Sequence, residues 1–161
     1  MAIWTSRYNN KELANDKYYP VGISIGKPRF RLGYNLKGQC TPLAPKGNML
    51  KMDAGSFRQA YYEKLEETGA GEIISIVTAL EERAKKEGKE LVLLCFEDIR
   101  IDGDWCHRAI FAEWWEERTG QRIKELPDPT PPKGKKVSNP AWGDIKEDNY
   151  KQMSMFDRAD E

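Results

Sequence analysis

The chain has 161 residues, of which 39% are hydrophobic, so it can bury one core of ordinary size. Its 26 basic and 26 acidic residues balance, which excludes a global electrostatic attraction to nucleic acid or to an anionic membrane. There is no apolar run of the roughly 18 residues that span a membrane, no signal-peptide pattern and no disulfide framework, so we expect a cytoplasmic protein without a membrane partner.

Short apolar runs alternate with helical patterns along most of the chain. Strands are predicted at residues 3–5, 18–25, 91–96 and 122–126. Helices are predicted from Asp53 to Glu66, over the apolar stripe at 73–84, and from Trp105 to Thr119, where Gly120 ends the last one. Between them, residues 26–45 are rich in glycine, proline and basic side chains and predict a long loop.

This alternation predicts an α/β fold: a small three-layer, Rossmann-like sandwich with a mostly parallel sheet. A helix between two strands is the crossover that parallel strands need. We expect the α/β domain over residues 1–126. Residues 127–150 predict a linker rich in proline and lysine followed by a polar tail, and residues 151–157 a separate short peptide.

The most informative segment follows the strand at 91–96, because ligands bind α/β folds where strands end and helices begin. That strand meets Glu97 and Asp98, and the next helix opens with Cys106 and His107. If Asp104 caps this helix, Cys106 and His107 occupy its second and third positions, where free amides lower the pKa of a thiol. We therefore predict one cleft with four catalytic residues: Glu97, Asp98, Cys106 and His107.

Basic and hydroxyl side chains near the same edge predict phosphate binding. Arg108 offers a planar fork of donors that suits phosphate or carboxylate, and we expect this side chain to be exposed at the helix start. The other candidates come from the polar loop after the first strand and from the long loop: Ser6, Arg7, Lys27 and Arg29.

Structural explanations compete with these roles. Cys95, inside an apolar strand, is more often a packing residue than a reactive one. His107 can also lie on the apolar stripe of its helix as a hydrogen-bonded core histidine. A zinc site would need Cys95, Glu97, Cys106 and His107 to converge. Their types suit zinc but their spacing lacks a Cys-x-x-Cys knuckle, so we predict no metal and no cofactor.

The segment Leu93-Leu-Cys-Phe-Glu97 followed by Cys106-His-Arg108 resembles the signature of domain-of-unknown-function family 488. That pattern is an apolar strand with Cys-x-Glu, then Cys-His-Arg opening a helix, with a later glycine that Gly120 matches. The resemblance covers roughly residues 2–126 and implies an α/β fold with a cleft at these motifs, but no established activity. The family often has Asp-Val-Arg after its second strand, where this chain has Val21-Gly-Ile-Ser24. The charged groups there are missing unless Lys27 or Arg29 substitutes.

The tail carries a second signal, because Gln152-Met-Ser-Met-Phe156 resembles the peptide that binds the bacterial DNA sliding clamp. In such a peptide one amide sets the orientation and two apolar side chains are buried, which here are Gln152, Met155 and Phe156. The alternative is a tail helix that docks its methionines and Phe156 back on the domain. The position after an extended linker favours the clamp as partner.

Three functions remain open. The favoured one is an enzyme of DNA metabolism, with a hydrolase or glycosidase-type activity on DNA or a nucleotide, that the tail recruits to the clamp; it needs Glu97, His107 and Arg108 in one open pocket. The second is a non-catalytic adaptor that binds the clamp and, through the basic loop, nucleic acid. The third is a thiol or metal sensor, which needs the sulfurs of Cys95 and Cys106 within bonding or ligand reach.

Overall fold

One parallel sheet organises the protein in the computed structural model, which describes residues 2–101 and 105–132. Its five strands are β1 Ile3–Arg7, β2 Tyr18–Gly22, β3 Gly38–Gln39, β4 Glu90–Cys95 and β5 Lys124–Glu125. Their order across the sheet is β3-β2-β4-β1-β5, and all the pairings are parallel. The predicted small α/β fold with a mostly parallel sheet is confirmed.

Three α-helices follow the predicted pattern: α1 Ala54–Thr68, α2 Ala70–Lys86 and α3 His107–Thr119. Asp53 caps α1 by accepting a hydrogen bond from the backbone amide of Ser56. Gly69 has a φ of 104° and separates α1 from α2, and Gly120 ends α3 in the left-handed conformation. Within the described residues, no helix is long and apolar enough to cross a membrane.

The two faces of the sheet have different cover. Alternate residues of β4 enter two separate cores, which is why the strand reads as a continuous apolar run. All three α-helices pack on the face that carries Leu91, Leu93 and Cys95. The opposite face, with Val92 and Leu94, is covered by a single-turn 3-10 helix and by the long loop, through Leu13, Leu32, Tyr34 and Leu36. The third layer of the described chain is therefore mainly loop.

The second strand ends earlier than predicted. It stops at Gly22, and Ile25, which the sequence placed in the strand, is 49% exposed. A side chain at Gly22 would collide with the Gln39 side chain and the Tyr8 hydroxyl unless these shifted, so the present packing of the two side chains favours glycine there. The predicted loop that follows contains β3 and a short 3-10 helix, Thr41–Leu43, and a second 3-10 helix, Gly47–Lys51, comes directly after it.

Candidate functional site

The carboxyl ends of β1, β2 and β4 meet at one edge of the sheet, because neighbouring parallel strands end together. Arg7 pairs in register with Cys95, and Gly22 pairs with Leu94. The amide of Ile23 continues this ladder by donating to the Leu94 carbonyl at 2.8 Å. The residues that follow β4 therefore lie beside those that follow β1 and β2, which precede them by more than seventy positions in the chain.

Helix α3 begins two residues later than predicted. Cys106 is its N-cap with an extended backbone, φ −146° and ψ 147°, and its side chain makes no capping hydrogen bond. His107 is consequently the first helical residue and not the third. Asp104, the predicted cap, lies outside the described residues.

The imidazole of His107 is held in one orientation. Its Nε2 lies 2.7 Å from the carbonyl oxygen of Ile23. Because a carbonyl only accepts, Nε2 carries the hydrogen, and in the neutral ring Nδ1 keeps its lone pair. Tyr61 packs edge-on against the ring at 5.4 Å between centroids. His107 is thus the buried, hydrogen-bonded histidine that the sequence offered as the structural alternative, and it presents an acceptor nitrogen on the other side of its ring.

That nitrogen faces two sulfurs. His107 Nδ1 lies 3.4 Å from Cys95 Sγ and 3.8 Å from Cys106 Sγ, and the three atoms all lie within 4.8 Å of one another. The residues are 3%, 4% and 1% exposed respectively. Both cysteines are free thiols, as is Cys40, which lies outside the cluster. We call Cys95, Cys106 and His107 the thiol cluster.

The two thiols of the cluster differ in acidity. Burial raises the pKa of the Cys95 thiol well above its usual value. Burial acts on Cys106 in the same direction, but the hydrogen bond from Cys95 and the positive charge of Arg108 outweigh it and hold the pKa of Cys106 well below its usual value.

The prediction that Arg108 is exposed is wrong. Its side chain is 1% exposed, and it donates from Nε and Nη2 to the two carboxylate oxygens of Glu125, at 3.1 and 2.8 Å. Glu125 also accepts from the Thr5 hydroxyl at 2.8 Å. The pair forms because β5 joins the sheet beside β1 and brings Glu125 to the start of α3. Among the described residues, Nη1 is the one nitrogen of this guanidinium that has no hydrogen-bond partner, and phosphate binding by Arg108 stays a prediction.

Two further predicted site residues belong to a buried ion-pair network. Arg7 donates to Asp128 at 2.6 Å and lies 3.8 Å from Asp98. Arg100 donates twice to Asp98, at 2.9 Å each, and lies 3.3 Å from Asp128. All four residues are at most 8% exposed. Phosphate binding by Arg7 and catalysis by Asp98 would each need an exposed side chain, but both side chains are buried in this network.

The network explains the charge of Asp98. Burial would raise the pKa of this carboxyl, but the hydrogen bonds from Arg100 and the charges of Arg100 and Arg7 outweigh it and lower the pKa. Asp98 is therefore an ionised partner of arginines, which suits a structural role. Arg100, Glu125 and Asp128 were not predicted from the sequence. Asp128 stands among prolines, and this composition predicted a linker there. No local sequence pattern marks Arg100 or Glu125 as a site residue.

The remaining candidates are dispersed. Glu97 is half-buried, with one carboxylate oxygen 3.7 Å from the Cys95 sulfur. Ser6 is buried, donates to the Arg7 carbonyl and accepts from the Asn10 amide. Lys27 and Arg29 are exposed on the long loop. The sensor needs the sulfurs of Cys95 and Cys106 within reach of one metal ion, and the thiol cluster meets this condition. The enzyme needs Glu97, His107 and Arg108 in one open pocket, and this condition is not met because His107 and Arg108 are buried.

The tail residues Gln152, Met155 and Phe156 lie outside the described residues. Comparisons with protein-family models, with curated proteins and with solved structures found no match to this chain. The resemblance to domain-of-unknown-function family 488 therefore stays a prediction, drawn from the Cys-x-Glu and Cys-His-Arg motifs that meet in the thiol cluster.

Proposed function

We propose that the protein binds a divalent metal ion of the zinc class at the thiol cluster. The observation that carries the proposal is the spacing of the three ligand atoms. Zinc–sulfur and zinc–nitrogen bonds of about 2.3 and 2.0–2.1 Å at a tetrahedral angle place sulfur and nitrogen about 3.6 Å apart. The two distances from His107 Nδ1 to sulfur, 3.4 and 3.8 Å, bracket that value.

The surroundings of the cluster favour the same ion. The Ile23 carbonyl holds Nε2–H of His107, which is the outer contact that orients a metal-binding histidine. Two thiolates would balance the charge of a divalent cation, and Arg108 with Glu125 forms a pair that is neutral by itself. A buried site must be neutral as a whole, so this balance supports the proposal. Three protein ligands leave a fourth position, with Glu97 nearby.

Titration of the purified chain with cobalt(II) tests the metal site. We expect saturable binding with the visible bands of tetrahedral cobalt and a near-ultraviolet thiolate band, displaced by zinc. Cys95→Ser and Cys106→Ser should lose the thiolate band, whereas Cys40→Ser, which removes a buried free thiol outside the cluster, should keep it. Circular dichroism of each variant checks the fold. A folded wild-type chain that takes up no cobalt would overturn the proposal.

We further propose that the protein works in DNA metabolism and is recruited to the bacterial sliding clamp by residues 151–157. The sequence Gln152–Phe156 carries this proposal. The thiol cluster is buried and offers no open pocket for a hydrolase-type activity on DNA or a nucleotide, so this proposal concerns recruitment and not catalysis at the cluster.

Calorimetry with the isolated tail peptide and a bacterial clamp tests recruitment. Burial of one Phe and one Met side chain offers on the order of 3–6 kcal/mol, and ordering the peptide consumes part of it, so we expect micromolar affinity. Phe156→Ala should remove most binding and Gln152→Ala a smaller part, while Lys151→Ala serves as the matched control and should change little. No heat at about millimolar peptide, at the weak end of measurable affinities, would reject recruitment.

A further inference from the structure

Positive charge is segregated along this neutral chain. From Lys17 to Met52 there is no aspartate or glutamate, but there are seven basic residues: Lys17, Lys27, Arg29, Arg31, Lys37, Lys46 and Lys51. Two of them form ion pairs, Lys37 with Glu87 and Lys46 with Glu67. Lys27, Arg29 and Arg31 are exposed and form no ion pair within the described residues. The chain as a whole has no net charge, but this segment therefore carries a local positive electrostatic potential.

The loop that carries these three cations is anchored to the sheet. Leu32, Tyr34 and Leu36 pack on the second core, and the residues that alternate with them are exposed. The Tyr34 hydroxyl donates to the Tyr8 carbonyl at 2.7 Å, and the Ser24 hydroxyl donates to the Gly26 carbonyl at 2.6 Å. The charged side chains thus project from a supported backbone, which lowers the entropy that a ligand must overcome.

An aromatic residue stands between two of these cations in the sequence. Phe30, between Arg29 and Arg31 in sequence, is 36% exposed, and its ring packs against Phe96 at 6.2 Å between centroids. A supported ring with an arginine on each side in the sequence can stack on an unpaired base while the two guanidinium groups reach adjacent phosphates. Arg31 lines a cavity of about 370 Å³, together with Asn9, Lys11 and Tyr34 among others. That volume is within the range of small-ligand pockets.

We infer that the loop at residues 25–34 is a binding surface for single-stranded DNA. Phe30 stacks on a base, Lys27, Arg29 and Arg31 contact phosphates, and the cavity beside Arg31 receives the neighbouring nucleotide. Stacking on Phe30 needs an unpaired base, and a loop offers no helix to the major groove of a duplex. The inference rests on the proposed role in DNA metabolism, which it deepens, and is independent of the metal site.

Fluorescence anisotropy of the full chain with a labelled oligodeoxythymidine of about 15 nucleotides, a site size typical of such surfaces, tests the inference. We expect Phe30→Ala to weaken binding about tenfold. The double variant Arg29→Ala/Arg31→Ala should weaken binding at least as much. It should also reduce the slope of the logarithm of the binding constant against the logarithm of the salt concentration by about 1.4, because two phosphate contacts are lost. A duplex of the same length should bind more weakly than the single strand.

The matched control is Lys85→Ala with Lys86→Ala, which removes the same charge from exposed positions on α2. We expect it to keep most of the affinity. Equal losses in the control and loop variants, full binding by Phe30→Ala, or tighter binding of duplex or of RNA would overturn the inference. Cobalt uptake and calorimetry of the tail peptide use no DNA, so they fail or succeed independently of this surface.

Discussion

Arg108 shows how the start of a helix can be buried. A helix start usually faces solvent, since its first amides need water or a cap. Here the first turn of α3 lies over the sheet edge where β5 joins β1, so the guanidinium pairs with Glu125, which also accepts from Thr5, and not with an anion from solution. His107 is similar, because its orienting partner is the Ile23 carbonyl, 84 residues earlier in the chain. At the residue scale, long-range contacts decide what each side chain does.

Loss of one member of the buried Arg108–Glu125 pair should be costly. Arg108→Met leaves the carboxylate of Glu125 buried without its partner, and we expect a loss of about 3–5 kcal/mol in the free energy of unfolding. Adding Glu125→Gln should recover part of it. Urea denaturation measures both. The matched control is Arg118→Met on the same helix, whose pair with Glu66 is 37% and 43% exposed, with an expected loss of about 0–1 kcal/mol. Equal losses at the two sites would contradict the burial argument.

At the scale of elements, α1 and α2 lie close to their predicted bounds because helical spacing and capping are local properties. The β4–α3 connection is different. Asp98 and Arg100 in that connection interact with Arg7 at the end of β1 and with Asp128 after β5. Four charges from three parts of the chain hold the carboxyl edge of the sheet, which no spacing rule predicts.

The network should make the stability of the fold depend on acid. The pKa of Asp98 is lower in the folded chain than its usual value of about 3.9, so its contribution is present above that pH and is lost as the pH falls through the folded value. Asp98→Asn should reduce stability at neutral pH and flatten its decline below about pH 4. Urea denaturation across this range checks it. Asp16→Asn, at a carboxylate that is 97% exposed, should leave the decline unchanged, and an unchanged decline in Asp98→Asn would contradict us.

At the scale of the whole molecule, the described fold continues past the predicted boundary at residue 126. Asp128 is 5% exposed, and the Asn10 amide donates to the Pro127 carbonyl at 3.1 Å. The proline-rich composition of this stretch predicted a linker, but its first residues contribute to the buried network. The linker was predicted from the average composition of several residues, and such an average does not show that one aspartate pairs with two distant arginines.

Two truncations should therefore behave differently. Deletion of residues 133–161 should keep a cooperative thermal transition near the wild-type midpoint. Deletion of residues 127–161 also removes Asp128 from Arg7 and Arg100, and we expect the midpoint to fall by roughly 10 °C. Differential scanning calorimetry of both chains measures this, with Asp128→Asn in the full chain as the intermediate case. Identical midpoints would show that the domain ends at residue 126 as the sequence analysis predicted.

The sequence by itself determined the α/β class, the two long helices, the strand at β4 and the segment where the candidate site lies. Each of these depends on local periodicity or on a short motif, and local signals are written in neighbouring residues. Only the tertiary structure decided that Cys95, Cys106 and His107 converge while Arg7, Asp98 and Arg108 are buried in ion pairs. The physical reason is that strand order and the packing of α3 bring together residues far apart in the chain, and periodicity carries no information about which distant charge or sulfur will be the neighbour.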